Sequence, residues 1–194
     1  DFPDEAIIQA LMTTGMQAVG KLPNSGVFRE DSEDEPELTV DELLQRAPSI
    51  NRRFLKKPGL SPCWEECVKS AEEDTAKGRM FEVGLSDIEG CLLEERFGIE
   101  QSDKIRPIDN YRTNDLNRAT AAGEHITCET TDLLLLVAAW HRHVLGESPL
   151  LFKEDVEGAY RIVPLRDTDL PLFVIVVRTP SGPRFWKQKS FPFG

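Results

Sequence analysis

The chain has 194 residues, 40% of them hydrophobic, and a formal net charge of −11; that is enough apolar material for one modest core plus a second small or poorly ordered region. Four scattered cysteines (Cys63, Cys67, Cys91 and Cys128) argue against a secreted disulfide framework and for an intracellular compartment, cytoplasmic or nuclear. No apolar run approaches the roughly 18 residues of a membrane span, and the start has no basic segment leading into an apolar one, so neither a membrane anchor nor a secretory signal is expected. The negative charge is uneven: residues 1–50 hold 11 acidic and 3 basic side chains, whereas the stretch from Leu151 onward holds 7 basic and 5 acidic ones. A nucleic-acid ligand is therefore not excluded by the total.

Ala6 to Val19 is apolar with helical character, interrupted by Gly15, and leads into a Gly/Pro/Asn break at residues 20–26. The acidic run Glu30 to Glu37 reads as a solvated linker, and Thr39 with Glu42 forms a capping-box pattern ahead of a short helix, Val40 to Arg46. Pro48, Pro58 and Pro62 punctuate the next stretch, so a domain boundary is placed near Pro58: residues 1–58 as an acidic, partly helical and partly disordered extension, residues 59–194 as the folded domain. Ser61-Pro62 suits the start of a helix ending near Gly78. Ser86 with Glu89 repeats the capping box, with Gly98 closing that helix. Phe97 to Asn110 then reads as a hairpin turning at Gln101-Ser102-Asp103. Thr130 or Thr131 caps an apolar helix, Leu133 to Leu145, stopped by Gly146, and its stripe Leu133, Leu134, Val137, Trp140 and His141 is expected to be core. Leu150 to Lys153 reads as a short buried strand. Leu170 to Arg178 and Arg184 to Lys189 form a β-hairpin around Thr179-Pro-Ser-Gly-Pro183. Helices and strands mix without βαβ alternation, which predicts an α+β fold.

Three patches carry candidate chemistry. The first is Lys104-Ile-Arg106-Pro-Ile-Asp109-Asn-Tyr111-Arg112, followed by Leu116-Asn117; the second is Lys153-Glu-Asp155-Val-Glu-Gly158-Ala159-Tyr160-Arg-Ile-Val-Pro164-Leu165; the third is Ser190-Phe-Pro192-Phe193-Gly194. In order and in spacing they resemble blocks of reverse transcriptases, over about residues 97–194. The resemblance implies a partial right-hand polymerase fold, comprising the fingers and the first part of the palm of an RNA-directed DNA polymerase from a retroelement. By that likeness Asp155 is the first catalytic aspartate and a Mg2+ ligand, with the carbonyl of Val156 completing the shell. Nucleotidyl transfer uses two divalent ions about 3.5–4 Å apart to activate the primer hydroxyl and neutralise the leaving pyrophosphate.

The same resemblance puts Tyr160 beneath the incoming sugar, where an aromatic ring excludes a 2′ hydroxyl, and Phe193 against the incoming nucleotide. Gly158 and Ala159 let backbone amides approach the triphosphate. Lys104 and Arg106, two residues apart on one strand face, suit a triphosphate grip; a solvated basic face is the plainer alternative. Asp109 and Arg112 are assigned to local ion pairing. The sequence holds no Asp-Asp dipeptide, so the second metal carboxylate of the family's Tyr-x-Asp-Asp hairpin is missing, and the polypeptide alone is expected to be inactive. Primer–template and deoxynucleoside triphosphate are partners of an intact parent enzyme, bound weakly or not at all here. Two other classes compete: a degenerate copy or non-enzymatic module whose acidic front end binds a basic protein, and a zinc module built from Cys63, Cys67, Cys91, Cys128, His125, His141 and His143, which lacks paired-knuckle spacing.

Overall fold

The computed structural model describes residues 5–24, 26, 28–30, 35–125, 130–150, 152–154 and 158–192. In chain order the elements are α1 (Glu5–Thr14), β1 (Gly20–Leu22), β2 (Arg29–Glu30), α2 (Val40–Lys56), α3 (Trp64–Ala76), β3 (Met80–Val83), β4 (Leu93–Gln101), β5 (Lys104–Asp109), β6 (Thr120–Ala122), β7 (Glu124–His125), α4 (Thr131–Leu145), β8 (Val174–Thr179) and β9 (Gly182–Gln188). Five strands form a mixed sheet in the order β3-β9-β8-β4-β5, and β1-β6 and β2-β7 form two short ladders. Within the sheet β4 and β8 run parallel, and the other pairs are antiparallel. No helix is long and apolar enough to cross a membrane among the described residues.

The sheet is covered on both sides. Leu43, Ala47, Ile50 and Phe54 of α2 join Leu93, Val174, Val176 and Phe185 in one cluster. Cys67, Val68 and Ala71 of α3 join Met80, Ile175, Val177 and Trp186 in the other. Strand alternation explains the division, since successive side chains of β8 point to opposite faces and each face meets its own helix.

The capping box at Thr39 is present: Glu42 N donates to Thr39 Oγ1 at 3.2 Å and Thr39 N to Glu42 Oε2 at 2.8 Å. The helix it starts runs through Pro48 to Lys56, well past the expected end at Arg46. Burying a Leu, Ile or Phe side chain stabilises by about 1.5–3 kcal/mol each, which together exceeds the ~3 kcal/mol cost of an internal proline. The segment read as an extension thus supplies one wall of the core.

The helix expected from Ser86 is not formed. Residues Leu85–Ile88 make a single 3-10 turn, and the chain continues into β4, whose Leu93, Glu94 and Glu95 pair with β8; sheet pairing overrides the local capping signal. The start of α3 also differs, with Cys63 at φ +50 as its N-cap and Ser61 buried, its Oγ accepting from Arg178 N at 3.0 Å. Both hairpins occur as expected. Ser102 takes φ +55 in the two-residue loop between Gln101 and Lys104, and Thr179 Oγ1 donates to Gly182 O at 2.7 Å across the second turn. Pro107 is tolerated in β5 because that strand lies at the sheet edge.

Two expectations of burial fail. The apolar helix is present as α4, ended by Gly146 at φ +72, yet none of its residues is buried; Leu134, Val137 and Trp140 of the expected core stripe are 51%, 53% and 59% exposed. Leu150 and Phe152 are exposed too, at 95% and 86%, and residues 152–154 form no strand. A strand persists only where a ladder partner and a covering layer take up its backbone and side chains, and among the described residues neither stands opposite this stretch.

One close approach ties the hairpin to α3. A Cβ placed on Gly98 would meet Cys63 Cβ at 2.5 Å and Ile105 Cγ2 at 2.7 Å, while Gly98 N donates to Pro62 O at 2.8 Å. Gly98→Ala is expected to destabilise the fold by about 1–3 kcal/mol. Cys63→Gly removes the opposing carbon and relaxes the positive φ, so the double variant should recover part of that loss; urea unfolding showing strictly additive costs would contradict the contact.

Candidate functional site

The first two sequence patches meet in a polar cluster on the α3 side of the sheet. Arg96 of β4 and Asp109 of β5 face each other in register and form a two-point ion pair, Nε to Oδ1 at 2.7 Å and Nη2 to Oδ2 at 2.8 Å. Both side chains are 1% exposed. Arg161, from the Gly-Ala-Tyr-Arg segment, reaches the same carboxylate at 3.8 Å and Asp74 of α3 at 3.6 Å. It donates to Gln188 Oε1 at 2.6 Å. Gln188 in turn donates from Nε2 to Asp109 Oδ2 at 3.2 Å and to the Tyr111 hydroxyl. Arg79 pairs with Asp74 at 3.4 Å. Three guanidinium groups thus share two carboxylates, and Arg96 Nη1 is left without a partner.

Electrostatics follow from that crowding. Burial alone would lower the Arg96 pKa, but the Asp109 charge outweighs it and the net shift is upward. Arg161 shifts downward, through burial first and then repulsion from Arg96. Tyr111 is pushed well above its usual value by burial, with the Asp109 charge adding to it. Burial raises the Cys67 thiol to about 12, which removes it as a thiolate nucleophile near neutrality.

Gly158 sits at φ +64, and a Cβ there would meet Arg79 Nη2 at 3.3 Å. Ala159 and Tyr160 follow in a short 3-10 turn, with Tyr160 62% exposed. Lys104 and Arg106 lie on β5 with exposed side chains, but strand parity places them on the sheet face opposite Asp109. The structure therefore brings Asp109, Tyr111 and Arg161 together beside Gly158, and sets Lys104 and Arg106 on the other side of the hairpin. Arg112 is exposed, whereas Asp109 is ion-paired as the sequence suggests. Asp155, Val156, Phe193 and Cys128 lie outside the described residues. Among the described residues no group of three or more His, Cys, Asp or Glu side chains stands where it could hold a metal ion.

On the Lys104 side a cleft of about 610 Å³ opens between α2 and the hairpin, walled by Arg53, Phe54, Lys57, Pro62, Phe97 and Thr113. Its floor holds two buried carboxyls. Glu95 is gripped by Lys57 at 2.6 Å and Arg178 at 2.5 Å. Glu94 accepts from Glu95 N at 2.7 Å and Thr113 Oγ1 at 3.1 Å and forms no ion pair among the described residues; burial lifts its pKa to about 8. Sequence reasoning missed Arg96, Arg161, Gln188 and Glu94. The one available signal was two consecutive acids and an arginine, Glu94-Glu95-Arg96, directly after the apolar Leu92-Leu93. No protein-family model matches the chain, and no curated protein matches it.

Two outcomes test these clusters. Asp109→Asn strips the charge facing Arg96 and Arg161 and is expected to destabilise by about 3–5 kcal/mol, while Asp115→Asn, in an exposed pair with Arg118, should change stability by less than about 1 kcal/mol; equal effects in urea unfolding would refute a buried charge cluster. For Glu94 the folded pKa lies above the ordinary carboxylate value of 4.5, so the native state binds the extra proton. Its contribution then falls as pH rises from about 4.5 to about 8 and is flat above. Glu94→Gln should remove that slope and unfold at higher urea than the parent at pH 8.5 and above, and parallel pH profiles would contradict it.

Proposed function

We propose that the chain is the fingers and first palm portion of a reverse transcriptase-like nucleotidyltransferase, which holds a deoxynucleoside triphosphate for transfer to a primer hydroxyl. The observation that supports this most is the meeting of two motif patches about 50 residues apart in one buried ion cluster, through Asp109 and Arg161. Unrelated surface motifs have no reason to share a desolvated carboxylate. In this reading Arg161 and Asp109 are positioning residues that fix the Gly158-Ala159-Tyr160 turn relative to the hairpin.

Gly158 and Ala159 then offer backbone amides to the triphosphate and the exposed Tyr160 ring is available to a sugar, while Lys104 and Arg106 face away from that turn. Asp155 and Val156 would hold Mg2+, which supplies charge neutralisation at the transferring phosphoryl group. With one candidate metal carboxylate in the three patches, this polypeptide should bind a triphosphate only weakly and should not extend a primer.

Equilibrium dialysis of dUTP and UTP at high protein concentration in the presence of Mg2+ tests the reading. The chain should hold dUTP more tightly than UTP, Tyr160→Ala should bring the two nucleotides close to parity, and Asp155→Ala should abolish the Mg2+ dependence. Equal affinity for dUTP and UTP, or a Tyr160→Ala variant that discriminates as the native chain does, would overturn the assignment in favour of a non-enzymatic module.

A further inference from the structure

The cleft between α2 and the β4-β5 hairpin lies apart from Gly158, Ala159 and Tyr160, none of which borders it. Its volume of about 610 Å³ falls in the range of small-molecule pockets, which are mostly apolar with a few converging polar groups. Phe54, Pro62 and Phe97 supply the apolar walls. Arg53 and Lys57, one helical turn apart at the end of α2, bring two exposed cations to the same cleft. Arg53 donates to Thr113 O at 2.5 Å and forms no ion pair among the described residues. Lys57 pairs with Glu95 at 2.6 Å, but Arg178 holds the same carboxylate at 2.5 Å, so Glu95 stays compensated when Lys57 turns to a ligand.

Beneath the cleft lies Glu94, fully buried and in no ion pair among the described residues. A dry carboxyl without a counter-charge is costly when ionised. Burial, with the charges of Asp109 and Glu95 adding to it, holds Glu94 neutral below about pH 8. Asp109 of β5 and Glu95 of β4 are the acidic groups that act on it, Arg178 of β8 is taken up by Glu95, and Arg53 and Lys57 of α2 border the same cleft. With Glu94 neutral and Glu95 doubly compensated, the cleft is positive at its mouth and apolar within. A ligand bearing a single negative charge fits that field, whereas a phosphate dianion or a chain of phosphates calls for more cations than these two, one of which is already shared.

We infer that the cleft binds a small organic monocarboxylate with a planar apolar body, its carboxylate on Arg53 and Lys57 and its body against Phe54, Pro62 and Phe97, and that Glu94 beneath it gates the site by its charge. Guanidinium and ammonium groups make charge-assisted hydrogen bonds to carboxylate oxygens, and offset contact with the Phe97 ring favours an aromatic body over an aliphatic chain. Ionised Glu94 opposes the ligand's charge across a poorly screened cavity floor, so the site is open below about pH 8 and closes above it. Neither metal nor triphosphate takes part, and no residue assigned to the nucleotide is used, so the cleft can be filled whether or not the chain binds a nucleotide.

The test is equilibrium dialysis of naphthoate against the full chain near neutral pH, with naphthylmethanol as the uncharged counterpart. Naphthoate should bind at least about tenfold more tightly than the alcohol, and Arg53→Gln/Lys57→Gln should lose that advantage. Arg46→Gln/Lys56→Gln removes the same charge from α2 outside the cleft and should stay within about twofold of the native chain, and Phe97→Ala should weaken both compounds. Raising the pH from about 7 to about 9 should weaken naphthoate binding several-fold in the native chain but not in Glu94→Gln, which mimics the neutral acid. Circular dichroism melts establish that each variant is folded. No binding of naphthoate, equal affinity for the alcohol, equal losses in the two charge pairs, parallel pH profiles, or displacement of naphthoate by dUTP would overturn the inference, whereas dUTP binding that leaves naphthoate in place would support two separate sites.

Discussion

The Arg96–Asp109 pair is the constraint on which the arrangement of the motif segments depends. Removing a carboxylate and a guanidinium from water costs several kcal/mol per ion, and their attraction offsets this only when geometry is good and spare hydrogen-bonding capacity is filled. Asp109 meets the condition, because both of its oxygens are engaged by Arg96, and Gln188 and Arg161 share Oδ2. Any displacement of β5, the Gly158 turn or the end of β9 would leave one of these charges dry and uncompensated. Three loosely connected parts of the chain are thereby locked to each other by polar contacts, where apolar contact alone would tolerate sliding.

This explains why the sheet divides its labour. The α2 face is predominantly apolar and closes over Leu93, Val174 and Val176. The α3 face is apolar only at its centre, around Ile175, Val177 and Trp186, and gives way to the ion cluster toward β5. Packing density sets stability on one side, and charge geometry sets position on the other. A glycine at position 98 is the compromise between them: α3 must come close enough for Asp74 to reach Arg161, and a side chain at Gly98 would hold it away.

Legibility in the sequence tracks the range of each interaction. Capping at Thr39, the glycine stop at Gly146 and the turns at Ser102 and Pro180-Ser181 are local, set within four residues, and they occur where composition places them. The length of α2, the loss of the Ser86 helix and the identity of β4 depend on partners distant in sequence, such as Cys91, whose carbonyl accepts from Asn51 of α2 40 residues earlier, and the β8 strand that pairs with Leu93. No local signal encodes those. Among the motif residues, Asp109 was legible as an ion-pairing residue from its setting, but Arg96 was not, since a strand arginine reads as solvent-facing until the opposing aspartate is known. The parity that separates Arg106 from Asp109 is a similar case: three residues apart in an ideal strand means opposite faces, which the motif's compactness in sequence conceals.

Two exposed surfaces remain, and they differ in kind. The face at the end of α2 is cationic and shaped, with side chains such as Arg53 held by hydrogen bonds. The middle of α4, Leu133 to Trp140, is apolar on every side, and the helix has no buried side chain. An isolated helix of 15 residues is marginal in water, even with good helix formers. Leucine and alanine propensity and the Gly146 stop favour the α4 conformation, but nothing among the described residues rewards its apolar side chains. A helix that is apolar all round is ordinarily buried, whereas one that displays arginine and lysine is ordinarily solvated. The charge pattern that distinguishes the two surfaces is present in the sequence itself: residues 43–61 hold five basic side chains and no acidic one, and residues 133–140 hold no charge at all.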